Sequence, residues 1–285
     1  MLPSAQQGAS YIRVNTMNMM DVGDLWFSYG KKPILSGASF FVEEGTLCGL
    51  FGPNGSGKTT LFKCCLKFLA YARGTVCMDG TDISGLSVSQ MARLVSYVPQ
   101  DHAPPFPFLV KEIVLMGRSP HLRGVFGASS EDKRKVCDVL DSMGLLDIAD
   151  SPYNQLSGGQ RQLVLMARAI AQETPLMFLD EPTAALDFSN QLKVWKLVRS
   201  IVDDGVTVLA CSHDPNHVSW FCDKVVVMGS NKILDSGPPE DVITDATLGT
   251  LYAEPCVRSY SGSVPVIIPR FSPGQIPSFP WGACP

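Results

Sequence analysis

The chain of 285 residues carries 23 Lys and Arg against 27 Asp and Glu, a net charge of −4, with 45% hydrophobic and 18% charged residues. That balance excludes disorder and collagen-like repeats and provides no general positive field for nucleic acid or anionic lipid. A chain of this length suits one or two domains of about 100–200 residues, with a sizeable buried core.

In chain order, residues 1–20 are rich in Met, Asn, Ser and Gln and lack periodicity, which predicts a loose arm. They hold no apolar block of the kind a secretory signal needs, so the cytosol is the default compartment. No later run reaches the ~20 apolar residues that would span a bilayer. The β-like run 46–51 leads into Gly52, Pro53, Asn54, Gly55, Ser56, Gly57, Lys58 and Thr59, a GxxxxGK[ST] phosphate-binding loop that opens a helix. Its glycines let successive backbone N–H groups converge on phosphate oxygens, and the helix adds its positive end. Lys58 is placed to reach the β and γ phosphates, and the Thr59 hydroxyl to ligate Mg²⁺.

Residues 86–155 hold helical patterns broken by loops at 104–107 and 117–127, and are expected to form a mainly helical insertion. Next, Ser157 and Gln160 are spaced as a capping box ahead of an amphipathic helix. Capping alone leaves Gly158 and Gly159 unexplained; consecutive glycines at a helix start permit close approach to an anion, which predicts a second phosphate-binding edge. The apolar run 175–179 ends in Asp180 and Glu181, as a buried strand does when it emerges at the rim of a parallel sheet. Asp180 is the candidate Mg²⁺ ligand, and Glu181 the candidate base that orients or deprotonates water.

With the β-like run VSYVP at 95–99, a helix near 189–202, the strand-like run VTVLAC at 206–211 and a further helix complete an alternation that argues for a parallel sheet covered by helices. The last fifteen residues, with four prolines and no charge, are expected to be a tail that is neither helix nor interior strand. Nine scattered cysteines without a CxxC pair predict reduced, mostly buried thiols. Solvated or capping roles are expected for His102, His121 and His217.

Together GPNGSGKTT at 52–60, Gln100 in YVPQ, LSGGQ at 156–160, LMFLDE at 176–181, Ala185-Leu186-Asp187 and His213 resemble the ATP-binding-cassette ATPases, the nucleotide-hydrolysing subunits of ABC transporters. The resemblance spans about residues 22–250. It implies an α/β P-loop NTPase core with a mostly parallel sheet, a small antiparallel part and a helical subdomain at about 86–160. The expected division is an arm at 1–20, an ATPase domain at 21–270 and a Pro-rich tail at 271–285.

The resemblance further implies a head-to-tail dimer of two copies, with ATP between the loop Gly52 to Thr60 of one and Ser157, Gly158, Gly159 and Gln160 of the other. Tyr29 would stack on adenine. Gln100 would sense Mg²⁺ and the attacking water, His213 would contact the γ-phosphate, and Asp187 would line the seam. Ala184 departs from the family's usual Ser, and Cys64-Cys65 after the loop is unusual but compatible with packing.

A lone cassette without a membrane span resembles importer subunits, which sit on the cytoplasmic face and dock polytopic permeases served by an extracytoplasmic binding protein. VLMGRSPHL at 114–122 and LDFSNQ at 186–191 resemble the ATPases of importers for iron–siderophore, haem and cobalamin. Phe106 and Phe108 read equally as anchors for the permease or as core residues. The alternatives are a soluble ATP-gated clamp on nucleic acid or ribosomes, disfavoured by the charge, an importer for another cargo such as molybdate, or a regulatory subunit with little turnover.

Overall fold

The computed structural model describes residues 17–100, 106–122, 127–184, 186–252 and 255–270. Two long strands, β1 (Asn18–Tyr29) and β2 (Lys32–Glu43), form an antiparallel hairpin that continues into β4 (Arg73–Met78) and the short β5 (Thr81–Asp82), in the order β2-β1-β4-β5. Met19 and Met20 are buried within β1, so that strand takes in the last residues of the expected arm; residues 1–16 and the tail 271–285 lie outside the described residues.

The central sheet has the order β10-β9-β3-β8-β7-β6. It comprises β3 (Leu47–Phe51), β6 (Val95–Val98), β7 (Leu176–Asp180), β8 (Thr207–Ser212), β9 (Lys224–Gly229) and the antiparallel edge β10 (Lys232–Gly237). Every residue of β3, β7 and β8 is buried, which fits a parallel sheet covered on both faces. Alternate residues of one strand feed opposite layers. Leu47 and Phe51 of β3, with Met177 and Leu179 of β7, pack against the helical side; Cys48, Leu50, Leu176 and Phe178 pack toward the antiparallel sheet and α1 (Lys58–Cys65).

The stretch expected to be helical contains α2 (Val88–Leu94), α3 (Val110–Met116) and α4 (Ser130–Ser142), followed by α5 (Gly158–Ala171). It also contains β6, at the β-like run VSYVP, so the helices of this stretch stand on either side of a strand of the central sheet. The β-branched, apolar VSYV segment pairs with β7, Val95 opposite Leu176 and Val98 opposite Leu179. Phe108 packs against the core while Phe106 is exposed, the two rings meeting edge to face at 6.1 Å.

The VLMGRSPHL segment explains itself in structural terms. A Cβ on Gly117 would sit 2.1 Å from the Arg168 carbonyl, so only glycine lets the end of α3 approach α5 this closely. Arg118, 4% exposed, donates from Nε to Asp132 Oδ1 at 3.1 Å and from Nη1 to the Ala171 carbonyl at 2.7 Å and Glu173 Oε2 at 2.8 Å. One guanidinium thereby joins α4 to the C-terminus of α5, where a cation also meets the negative end of the helix dipole.

The remaining elements are α6 (Phe188–Asp203), α7 (Pro215–Phe221), α8 (Pro239–Val242), α9 (Asp245–Leu251) and the hairpin β11 (Cys256–Ser261) and β12 (Val264–Pro269). Asp187 is the N-cap of α6, its Oδ1 accepting from Asn190 N at 2.9 Å, and Gln191 Nε2 donates to the Thr183 and Leu186 carbonyls. LDFSNQ is thus a helix start tied to the loop before it. His217 corrects the expectation of a solvated or capping side chain. It is 3% exposed, with ring centroids 5.8 Å from Trp195 and 6.1 Å from Trp220, and burial lowers its pKa. His121 Nε2 donates to the Gln172 carbonyl at 2.8 Å, and His102 lies outside the described residues. Cys48, Cys64, Cys65, Cys211 and Cys222 are buried, Cys77 and Cys256 half-buried, and Cys137 is exposed. No helix among the described residues is long and apolar enough to cross a membrane.

Candidate functional site

Three parallel strands end at one rim of the central sheet. Phe51 stands opposite Ser212, and Asp180 opposite Cys211, so the residues that follow them, Gly52, Glu181 and His213, emerge side by side. From Gly52, whose N–H donates to the Ser212 carbonyl at 3.4 Å, the chain turns through Pro53, Asn54, Gly55 and Ser56 into α1. Gly57 is the N-cap at φ 107°, a left-handed conformation that favours glycine, and no side chain caps the helix. The first-turn N–H groups have no carbonyl of the same helix to bond, and Lys58, Thr59 and Thr60 of that turn line the cleft.

Lys58 is buried and folds over this loop. Its Nζ donates to the Gly52 carbonyl at 2.8 Å and the Pro53 carbonyl at 3.2 Å, and stands 3.6 Å from Glu181 Oε1. The other Glu181 oxygen lies 3.1 Å from His213 Nδ1. Glu181 has φ 48°, uncommon for a residue with a side chain, at the point where β7 gives way to the loop. Asp180 is 1% exposed and accepts from Thr59 Oγ1 at 3.2 Å and from the Tyr97 hydroxyl at 3.3 Å. Burial raises its pKa, and the two hydrogen bonds oppose that rise without cancelling it.

Lys58, Thr59 and Glu181 face a cleft of about 460 Å³ that Lys32, Asn54, Gly55 and Gln100 also line, and Glu181 and His213 share a smaller adjoining one of about 60 Å³. Tyr29 is half exposed at the end of β1, paired in register with Lys32 of the lining. Gln100 is exposed and also lines a second cleft, of about 160 Å³, with Gly158, Gln162 and Glu181. Ser157, Gly158, Gly159 and Gln160 do not line the loop cleft. The capping box is formed there, Ser157 Oγ accepting from Gln160 N at 3.3 Å and Ser157 N donating to Gln160 Oε1 at 3.0 Å, with Ser157 and Gly158 exposed. Asp187 is exposed at the start of α6, Ala184 is exposed beside Glu181, and Ala185 lies outside the described residues.

The residues suit a phosphorylated ligand. Ser56 Oγ is buried in the loop without a hydrogen-bond partner, beside uncapped helix N–H groups. Thr59 and Asp180 present hard oxygens side by side that would suit a divalent cation, and no group of three or more His, Cys, Asp or Glu side chains among the described residues could hold a metal. Such a sparse oxygen set fits Mg²⁺ arriving with phosphates and water rather than a resident ion. Sequence reasoning missed Tyr97, which braces Asp180, and Tyr252, whose hydroxyl donates to the His213 carbonyl at 3.2 Å. Both lie far along the chain from what they touch; Tyr97 heads the YVPQ phrase that was read only for Gln100, and Tyr252 sits in no motif.

A family model described as ABC transporter matches residues 35–184. A hemin import ATP-binding protein of Streptomyces coelicolor is 35% identical over 82% of each chain. A Helicobacter pylori protein named "Probable iron chelatin transport ATP-binding protein" is 36% identical over 83% of this chain and 94% of its own. Among solved structures, the chain is similar to one described as "An inward-facing conformation of a putative metal-chelate type ABC transporter", with 29% identity, a TM-score of 0.80 and coverage of 90% of this chain and 99% of that one. It is also similar to an ATP-binding cassette in a dimeric post-hydrolysis state with ADP and Pi, with 26% identity, a TM-score of 0.69 and coverage of 78% and 99%. The chain belongs to the ABC transporter family and is one of its ATP-hydrolysing cassettes.

Proposed function

We propose that this cassette drives import of a metal chelate, iron(III)–siderophore first and haem or cobalamin next, from the cytoplasmic face of a membrane. It would act as a homodimer docked on polytopic permease subunits that receive cargo from an extracytoplasmic binding protein. The observation that carries the catalytic part is the junction of Lys58, Glu181 and His213 at one rim, beside an uncapped helix and the orphaned Ser56 hydroxyl. The names of the relatives support the cargo class.

In this reading the backbone N–H groups from Asn54 to Thr60 and the Ser56 hydroxyl take the phosphates, and Tyr29 takes the base. Lys58 exchanges Glu181 for the β and γ phosphates, which frees the Glu181 carboxylate to orient water and accept its proton. His213 and Gln100 flank that carboxylate and hold the γ-phosphate and the water in line. Thr59, Asp180 and Gln100 would hold Mg²⁺, which supplies neutralising charge for the phosphates. Ser157, Gly158, Gly159 and Gln160, turned away from the cleft of their own chain, serve the nucleotide of the second copy, with Asp187 at the seam. Binding closes the dimer and hydrolysis opens it.

Glu181→Gln is expected to give a dimer by light scattering with MgATP but not MgADP, and Lys58→Ala to lose nucleotide binding or turnover. A Glu181→Gln variant with full turnover refutes the base. Affinity purification from solubilised host membranes should recover a polytopic protein at about one-to-one ratio; recovery of only soluble partners refutes the importer reading.

A further inference from the structure

His213 lies on a short loop between β8 and α7, half exposed, and its neighbours hold the turn itself, Asp214 N donating to Ser212 Oγ at 3.1 Å and Asp214 Oδ1 capping α7. Side chains from further along the chain add to this. The Tyr252 hydroxyl reaches back to the His213 carbonyl at 3.2 Å, while its ring lies 6.4 Å from that of Phe51, the last residue before the phosphate loop. Burial raises the pKa of Tyr252 to about 12, so its hydroxyl stays a donor across the physiological range.

On α7, Asn216 pairs with the backbone of β12 in both directions, Nδ2 donating to the Ile267 carbonyl at 3.4 Å and Oδ1 accepting from Ile267 N at 2.8 Å. One turn on, Trp220 Nε1 donates to the Pro265 carbonyl at 2.6 Å. The hairpin is anchored on its other side, where Arg258 N donates to Asp245 Oδ1 at 2.8 Å and Arg258 Nη1 to the Glu240 carbonyl at 2.7 Å. An isolated two-stranded hairpin is marginal in water, and this one is held between α7 and the α8–α9 segment.

We propose that Tyr252, with Asn216 and Trp220 gripping the hairpin β11–β12, positions His213 relative to Glu181 and the phosphate loop during ATP hydrolysis. Tyr252 bridges the root of the phosphate loop and the His213 backbone, and the hairpin fixes the helix that starts two residues after His213. None of the three touches the cleft lining; they are positioning residues that act through His213. The inference rests on the role proposed for His213 above and adds the element that sets its place.

The test uses the full chain and compares ATP hydrolysis by wild type, Tyr252→Phe, Asn216→Ala, His213→Ala and the double variant Tyr252→Phe/His213→Ala. Loss of one neutral hydrogen bond that matters only for alignment predicts kcat lower by about fivefold in Tyr252→Phe, with KM within about twofold of wild type. With His213 absent, Tyr252→Phe should cause no further loss. Amide hydrogen exchange supplies a readout independent of turnover: the amides of residues 213 and 214 should exchange faster in Tyr252→Phe and Asn216→Ala, while those of α1 should not. Wild-type kcat in Tyr252→Phe, an equal fold loss on the His213→Ala background, or unchanged exchange at 213 and 214 overturns the positioning role. Full turnover in His213→Ala instead refutes the role of His213 itself, and the positioning inference with it.

Discussion

Arg118→Met removes the guanidinium that joins α4 to the end of α5 while keeping an unbranched apolar stem. Arg118 is 4% exposed, and removing one partner of a buried ion pair costs roughly 3–5 kcal/mol. Two features of the structure reduce that figure. Asp132 keeps the Ser129 N–H at 3.0 Å and the Ser129 hydroxyl at 2.6 Å, and Glu173 is half exposed and keeps Lys135 at 2.8 Å. The Ala171 carbonyl loses its charged donor outright. An expected cost of about 2–4 kcal/mol follows, or a Tm lower by roughly 5–10 °C for a chain of this size. Urea unfolding followed by circular dichroism, with the slope checked for constancy, measures it. Arg118→Lys should fall between the two, since a single ammonium cannot span Asp132, Ala171 and Glu173 as the fork does. An Arg118→Met midpoint within about 0.5 kcal/mol of wild type would refute the reasoning and leave the segment at 114–122 without its physical account.

The same cluster predicts a pH dependence. Ser129's hydrogen bond and then Arg118 hold Asp132 below the ordinary carboxylate range despite burial; for Glu173 burial pushes upward, and hydrogen bonds from Lys135 and Arg118 more than offset it. Folded values below the unfolded ones mean stability that is full above the ordinary carboxylate pKa and lost as pH falls through the folded values. The gap between wild type and Arg118→Met should therefore shrink on acidification, read from urea midpoints at neutral and acidic pH. Gly117→Ala forces a methyl to 2.1 Å from a backbone oxygen and should cost about 3 kcal/mol in the same assay. Tyr97→Phe takes away one of the two hydrogen bonds to Asp180 and should raise the Mg²⁺ concentration for half-maximal turnover by about tenfold, with ATP saturating.

The phosphate loop and the Asp180-Glu181 pair were legible because their chemistry is written in consecutive residues: glycines, a lysine and a hydroxyl at fixed offsets, and an apolar run that stops at two carboxylates. The parallel sheet was legible because strands buried on both faces leave unbroken apolar segments such as LMFLD. Partners fixed by register or by long-range packing were not. Tyr97 reaches Asp180 because β6 pairs with β7, and VSYV gives no hint of that neighbour. His217 carries the same imidazole as His213, four residues earlier, yet one faces Glu181 and the other a cage of aromatic rings; only the packing of α7 against α6 separates them. The glycine and arginine of VLMGRSPHL announce no role in the sequence, and the approach of α3 to α5 gives each a task.

The capping box at Ser157 separates two demands that the sequence presents as one. Towards its own helix the Ser157 hydroxyl acts as an acceptor, its oxygen taking the Gln160 N–H, so the hydroxyl proton remains available to point outward. Aspartate fills the inward duty as well as serine does but has no proton to offer and brings a negative charge. Ser157→Asp should therefore leave the melting temperature of the single chain near wild type while abolishing the ATP-dependent dimer, so that one substitution distinguishes what the helix asks of this position from what a second copy's nucleotide asks of it.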